Sequence, residues 1–145
     1  MHLVDARIEA VAAFTAHVGG TPVAIEDAAA VALRFAGGPL GTLTSGYYLD
    51  AGYQSHLRIW GSAGWLSLDT AAEPIVVVQR HGEPPSVVTP PRGGDVYAAL
   101  VEAAARAAVG AAAPPLTTRD SLRAVRTVFA GYEAAATGRS VAVAD

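Results

Sequence analysis

Apolar residues recur at every second position through the first part of the chain and at helical spacing through the last. Ala28–Phe35 (AAAVALRF) sets Val31, Leu33 and Phe35 on one side and Arg34 on the other, as a half-buried strand does. Gln54–Trp60 (QSHLRIW) repeats the pattern, with Leu57 and Ile59 opposed to His56, Arg58 and Trp60. Ile75–Arg80 (IVVVQR) is a β-branched run, and Ile8–Val18 (IEAVAAFTAHV) predicts a strand whose alternation is blurred by alanine. Gly19-Gly20-Thr21-Pro22, Gly37-Gly38-Pro39, Gly61-Ser62-Ala63-Gly64 and His81-Gly82-Glu83-Pro84-Pro85 supply the turns. PLGTLTSGYYLD returns after the second turn, and Trp65–Asp69 after the third. Strands joined by such short turns form an antiparallel meander, because parallel neighbours need crossovers of about a dozen residues or more.

The period then changes. Asp95 predicts an N-cap after Gly93-Gly94, opening a helix to Gly110 with Val96, Leu100, Val101 and Ala104 as its apolar stripe and a Glu102–Arg106 pair on the wet side. A second helix starts at Thr117-Thr118-Arg119-Asp120, carries Leu122, Val125, Phe129 and Tyr132 at helical spacing, and stops at Gly138. Ser140–Val143 adds a short edge strand. Strands followed by helices give an α+β domain. The predicted architecture is an open-faced, mainly antiparallel sheet of about five or six strands with helices on one face. The other face, with Trp60 and Tyr47 or Tyr48 among its outward positions, is half apolar and predicts a homo-oligomer formed through the sheet.

Composition narrows the chemistry. The 145 residues suit one domain, and 52% hydrophobic against 16% charged residues gives enough apolar material for a core. The net charge of −3 and the lack of a basic run argue against a nucleic-acid partner. There is no cysteine, so disulfides, thiolate metal sites and thiol nucleophiles are excluded together. All ten basic residues are arginine, which excludes Schiff-base chemistry on a lysine of this chain. The N-terminus lacks the charged and apolar regions of a signal peptide, and Ala98–Ala113 is interrupted by Glu102 and Arg106, so a cytoplasmic protein without a membrane partner is expected.

Three segments in order carry a family resemblance. HLRIWGSAGWLSLD (His56–Asp69) is similar to a strand–Gly-x-x-Gly–strand hairpin of the Gfo/Idh/MocA oxidoreductases (glucose–fructose oxidoreductase, inositol dehydrogenase and rhizopine catabolism). AAAVALRFAGGPLGTLTSG (Ala28–Gly46) resembles the hairpin before it, and PLTTRDSLRAVRTVFAGYEAAATGRSVAV (Pro115–Val143) the closing helix. The resemblance implies the C-terminal domain of such an enzyme, a sheet that shapes a sugar or polyol site and mediates assembly. In that family an N-terminal Rossmann domain binds NAD or NADP. This sequence has no Gly-x-Gly-x-x-Gly fingerprint and no lysine to match the family's Glu-Lys-Pro, so it is expected to lack the nucleotide-binding domain and to carry no cofactor itself.

The resemblance also nominates residues. His2 matches the family's acid/base histidine, and Asp5 would sit one turn beyond it, facing the same pocket; a helix-capping role is the alternative for Asp5. The family's helix after this His-x-x-Asp turn is longer, whereas here Arg7 runs directly into Ile8. Tyr53 resembles a tyrosine that inositol dehydrogenases place at the substrate, the alternative being a turn residue packed on the sheet edge. Tyr47, Tyr48, Trp60 and Trp65 could line a carbohydrate site, though at strand spacing core or interface is the commoner use. His17, His56 and His81 lack the spacing of a metal site, and Ser45 lacks a nucleophile elbow. Glu26 and Asp27 read as a solvated pair pointing to opposite sides of a strand. The functional expectation is therefore the substrate-side and oligomerisation domain of an NAD(P)-dependent oxidoreductase acting on a sugar, polyol or related hydroxyl compound, incompetent for hydride transfer alone. The alternative is a stand-alone dimeric binding or scaffold module that holds a small polyhydroxylated ligand or a partner protein.

Overall fold

A computed structural model describes residues 4, 6–19, 22, 24–47, 52–72, 75–89 and 95–144. In chain order the elements are β1 (Ile8–Ala16), β2 (Ala28–Phe35), β3 (Leu40–Gly46), β4 (His56–Gly61), β5 (Gly64–Asp69), β6 (Val76–Arg80), β7 (Ser86–Val88), α1 (Val96–Ala108), α2 (Thr118–Thr137) and β8 (Val141–Ala142). The α+β class and the antiparallel pairing are as the sequence predicts. The strands, however, hydrogen-bond into two four-stranded sheets, β3-β2-β1-β8 and β4-β5-β6-β7, where a single sheet of five or six is expected from the pattern. Period-two alternation specifies which face a residue takes but not which strands share a ladder. The chain divides accordingly into two compact units, Met1–Leu49 with Leu100–Asp145, and Asp50–Ala99.

In the first unit, antiparallel register places Ala13 against Val31 and Val31 against Leu43, so these share a face with Val11 and Leu33. A bulge between Ile8 and Ala10 resets the parity of β1, which is why Ile8 and Val11 both point to the core although three residues apart. Helix α2 lies on this face against β1 and β8. Its buried positions are Ala130 and Ala134, flanked by Thr127, Gly131 and Ala135. These fall at the spacing of one helix face, and their small side chains let the helix backbone approach Val11, which is only 1% exposed. Leu122, Val125, Phe129 and Tyr132, which the sequence sets at helical spacing, are exposed. Large residues on the helix would hold it off Val11 and Ala13 of β1, so the smaller face wins.

Both ends of α2 are fixed locally. Thr117 and Asp120 form a capping box, with Thr117 Oγ1 accepting from the Asp120 N–H and the Asp120 carboxylate accepting from the Thr117 N–H. Gly138 takes the left-handed conformation at φ 65° and donates to Ala134 O, ending the helix. The chain then adds β8 to β1. Helix α1 begins after Asp95, whose carboxylate accepts from the Tyr97 N–H at 2.8 Å, and carries the predicted Arg106–Glu102 pair at 2.8 Å. Its Leu100 and Val101 are exposed.

The second unit is a meander whose sharpest turn is between β4 and β5. Gly64 sits at φ +143°, and a Cβ there would lie 1.9 Å from Gln79 O, so only glycine fits. Leu57, Ile59, Leu66, Leu68, Val76 and Val78 line one face, in register. Within the first unit, Ala134→Leu is expected to overpack the helix–sheet contact and lower stability by about 1–3 kcal/mol, read as a fall in the thermal midpoint.

Candidate functional site

Of the residues nominated by the sequence, His2, Asp5 and Tyr48 lie outside the described residues. Tyr53 follows Gly52, which has φ +77°, and is 92% exposed, making no hydrogen bond or ring contact among the described residues. It is therefore a free phenol at the surface of its unit, not a packed turn residue. Tyr47 and Trp60 are exposed as well.

The polar groups that the first unit does bring together surround the connection between β1 and β2. Asp27 is buried, 5% exposed, and each carboxylate oxygen accepts one backbone N–H at 2.7 Å, from Val18 and from Gly19. His17 donates from Nδ1 to Ile25 O at 2.9 Å, and that nitrogen is 3.7 Å from Asp27 Oδ2. The Val18 N–H is the main cause that holds the Asp27 carboxyl below its ordinary value of 3.8, with Gly19 and His17 adding to it against the effect of burial. Asp27 thus ties the loop to the strand, which replaces the solvated role expected for it. Its neighbour Glu26, which like Asp27 precedes β2, accepts the hydroxyl proton of Tyr132 on α2. That bond lowers the Glu26 carboxyl below 4.5 and raises the Tyr132 phenol above 10.0. An open cavity of about 520 Å³, lined by Thr15, His17, Ile25 and Glu26 among others, lies beside them. A carboxylate engaged by a phenol and an imidazole engaged by a carbonyl suit recognition of hydroxyl groups better than proton abstraction.

In the second unit the register of β4 on β5 sets His56 opposite Asp69, Arg58 opposite Ser67 and Trp60 opposite Trp65. His56 Nδ1 lies 3.1 Å from Asp69 Oδ2, while Asp69 Oδ1 accepts from the Ala71 N–H at 2.9 Å. The Ala71 N–H first, and His56 second, keep the Asp69 carboxyl below its ordinary value. The Arg58 guanidinium lies 5.7 Å from the Trp60 ring centre and 5.3 Å from that of Trp65, and the Trp65 indole donates to Gln79 Oε1. This face therefore presents aromatic rings with a guanidinium beside them. The Gly61–Gly64 turn, which fixes the register, is legible in the sequence. The Glu26–Tyr132 contact is not, since 106 residues separate the partners. Among the described residues no three His, Asp or Glu side chains are grouped to hold a metal ion.

Residues 1–67 match the GFO/IDH/MocA C-terminal domain family. No curated protein matches the chain in sequence. Among solved structures, the aldose-aldose oxidoreductase from Caulobacter crescentus complexed with glycerol is 24% identical, with TM-score 0.79, over 94% of this chain and 42% of that one. The WlbA dehydrogenase from Bordetella pertussis, in complex with NADH and UDP-GlcNAcA, is 19% identical with TM-score 0.77, over 96% and 41%. An oxidoreductase from Pseudomonas syringae is 18% identical with TM-score 0.81, over 98% and 47%. At these identities the likeness establishes the fold. The chain spans less than half the length of each of these structures.

Two outcomes follow from the carboxylates. Because the folded-state value of Asp27 is depressed, its contribution to stability is complete above the unfolded value of 3.8 and is lost as pH falls through the lower folded value. Asp27→Ala should therefore lower the thermal midpoint by several degrees at neutral pH and flatten its dependence on pH in that acid range. Tyr132→Phe should move the Glu26 carboxyl upward, towards its ordinary range, read by carbon-detected NMR titration.

Proposed function

We propose that the chain is a C-terminal domain of the Gfo/Idh/MocA family, whose model matches residues 1–67, and that it forms the substrate-side wall and the assembly surface of an NAD(P)-dependent oxidoreductase acting on a hydroxyl of a sugar, polyol or related compound. The observation that carries this reading is the agreement of nearly the whole chain with the fold of less than half of such enzymes, one of them complexed with glycerol and another with NADH and a nucleotide sugar. The resemblance assigns the proton of the substrate hydroxyl to the His2 imidazole and a substrate-binding role to Asp5. Tyr53, with an unengaged phenol, offers a hydrogen bond to a hydroxyl and a ring to a sugar's apolar face.

NAD or NADP would supply the hydride acceptor in the whole enzyme. The described residues do not fit a dinucleotide themselves. Every strand pair among them is antiparallel, whereas a dinucleotide crevice is built on parallel strands joined through helices. No step is assigned to the cofactor on this chain.

Assembly is proposed through the face of the β3-β2-β1-β8 sheet opposite α2. There Phe14 and Leu40 stand exposed among alanines and threonines, a surface two copies can share. The proposed location is cytoplasmic; no helix among the described residues is long and apolar enough to cross a membrane.

Titration of the purified 145-residue chain with NADH, followed by nicotinamide fluorescence, should give no saturable change. Saturable binding would place a cofactor site on these residues and overturn the division of labour proposed here.

A further inference from the structure

Ten arginines are spread through a chain with no basic run, yet four of them line one groove. Arg119, Arg123 and Arg126 lie on one face of α2 at i, i+4 and i+7, a span of about 10 Å along the helix axis. Arg7, just before β1, joins them, and the groove of about 460 Å³ is completed by Thr118 and Leu122. Among the described residues Arg7 pairs with Glu9 at 3.4 Å, and Asp120 takes part in the cap of α2. Among the described residues the guanidinium groups of Arg119, Arg123 and Arg126 make no ion pair or hydrogen bond. Arg123 and Arg126 are moreover half-buried against the sheet side of the helix. Like charges held together and partly withdrawn from water repel one another, and a bound anion relieves the repulsion.

We propose that this groove binds a small phosphate-bearing anion. Guanidinium forks match phosphate oxygens two at a time, and successive arginines along the helix can each take one end of a diphosphate. The volume falls within the range of about 300–1,000 Å³ found for small-ligand sites. A nucleic acid would require a broad basic face, which a chain of net charge −3 does not offer. The inference does not rest on the oxidoreductase reading, so the NADH experiment leaves it untouched.

The test is calorimetric titration of the chain with inorganic pyrophosphate at low salt. The expected result is saturable binding of one pyrophosphate per chain, weakened roughly tenfold or more by Arg123→Gln or Arg126→Gln and unchanged by Arg139→Gln, an exposed arginine beyond α2. Should either half-buried substitution fail to give the native circular dichroism spectrum, Arg119→Gln at an exposed position makes the same comparison. Absence of saturable binding, equal binding by the arginine variants, or loss of binding in sodium chloride of matched ionic strength would overturn the proposal. So would a poly-glutamate peptide that binds more tightly than pyrophosphate, since the groove would then serve an acidic protein segment.

Discussion

The close approach of α2 to β1 is the constraint on which the first unit depends. It is made by alanine and glycine on the helix and by Val11 and Ala13 on the strand, so the contact is tight but contains little apolar surface. Large side chains cannot enter it without pushing the two backbones apart. They are therefore displaced outward: Leu122, Val125, Phe129 and Tyr132 to the far side of the helix, and Phe14 to the far side of the sheet. Aromatic and branched side chains left in water cost hydrophobic stabilisation that a covering surface restores.

The polar chemistry follows from the same economy of space. With a thin core there is little volume in which to bury a charge, and the buried carboxylate of Asp27 is satisfied by two backbone N–H groups. Glu26 and Tyr132 meet at the surface, where the far side of α2 comes level with the end of β2. In the second unit His56 and Asp69 face each other across a ladder, and Arg58 is held against two tryptophan rings. Each of these contacts fixes geometry at a surface.

Much of the fold is legible in the sequence, because alternation and turn residues act locally. Val31, Leu33 and Phe35 share a face as their spacing requires, Thr117 and Gly138 bound the second helix, and the residues after Gly138 pair with β1. Less legible is anything decided by size at a distance. The spacing of Leu122, Val125, Phe129 and Tyr132 marks an apolar face equally well whether it meets the sheet or another surface. Only the bulk of the opposing strand decides that Ala130 and Ala134 go inward. The grouping of ladders into two sheets is hidden for a related reason, since side-chain period carries no information on which backbone edge a strand joins. The arginine groove is hidden too, because Arg7 and Arg119 meet only when β1 and α2 pack. His2 and Asp5 owe their proposed roles to family resemblance alone.

Sedimentation velocity at micromolar concentration tests most directly whether this chain is an assembly surface. The account predicts a dimer or higher oligomer for the native chain and a monomer for Phe14→Glu, which places a charge on the uncovered sheet face. A native chain that sediments as a monomer, or an oligomer indifferent to Phe14→Glu, would contradict it.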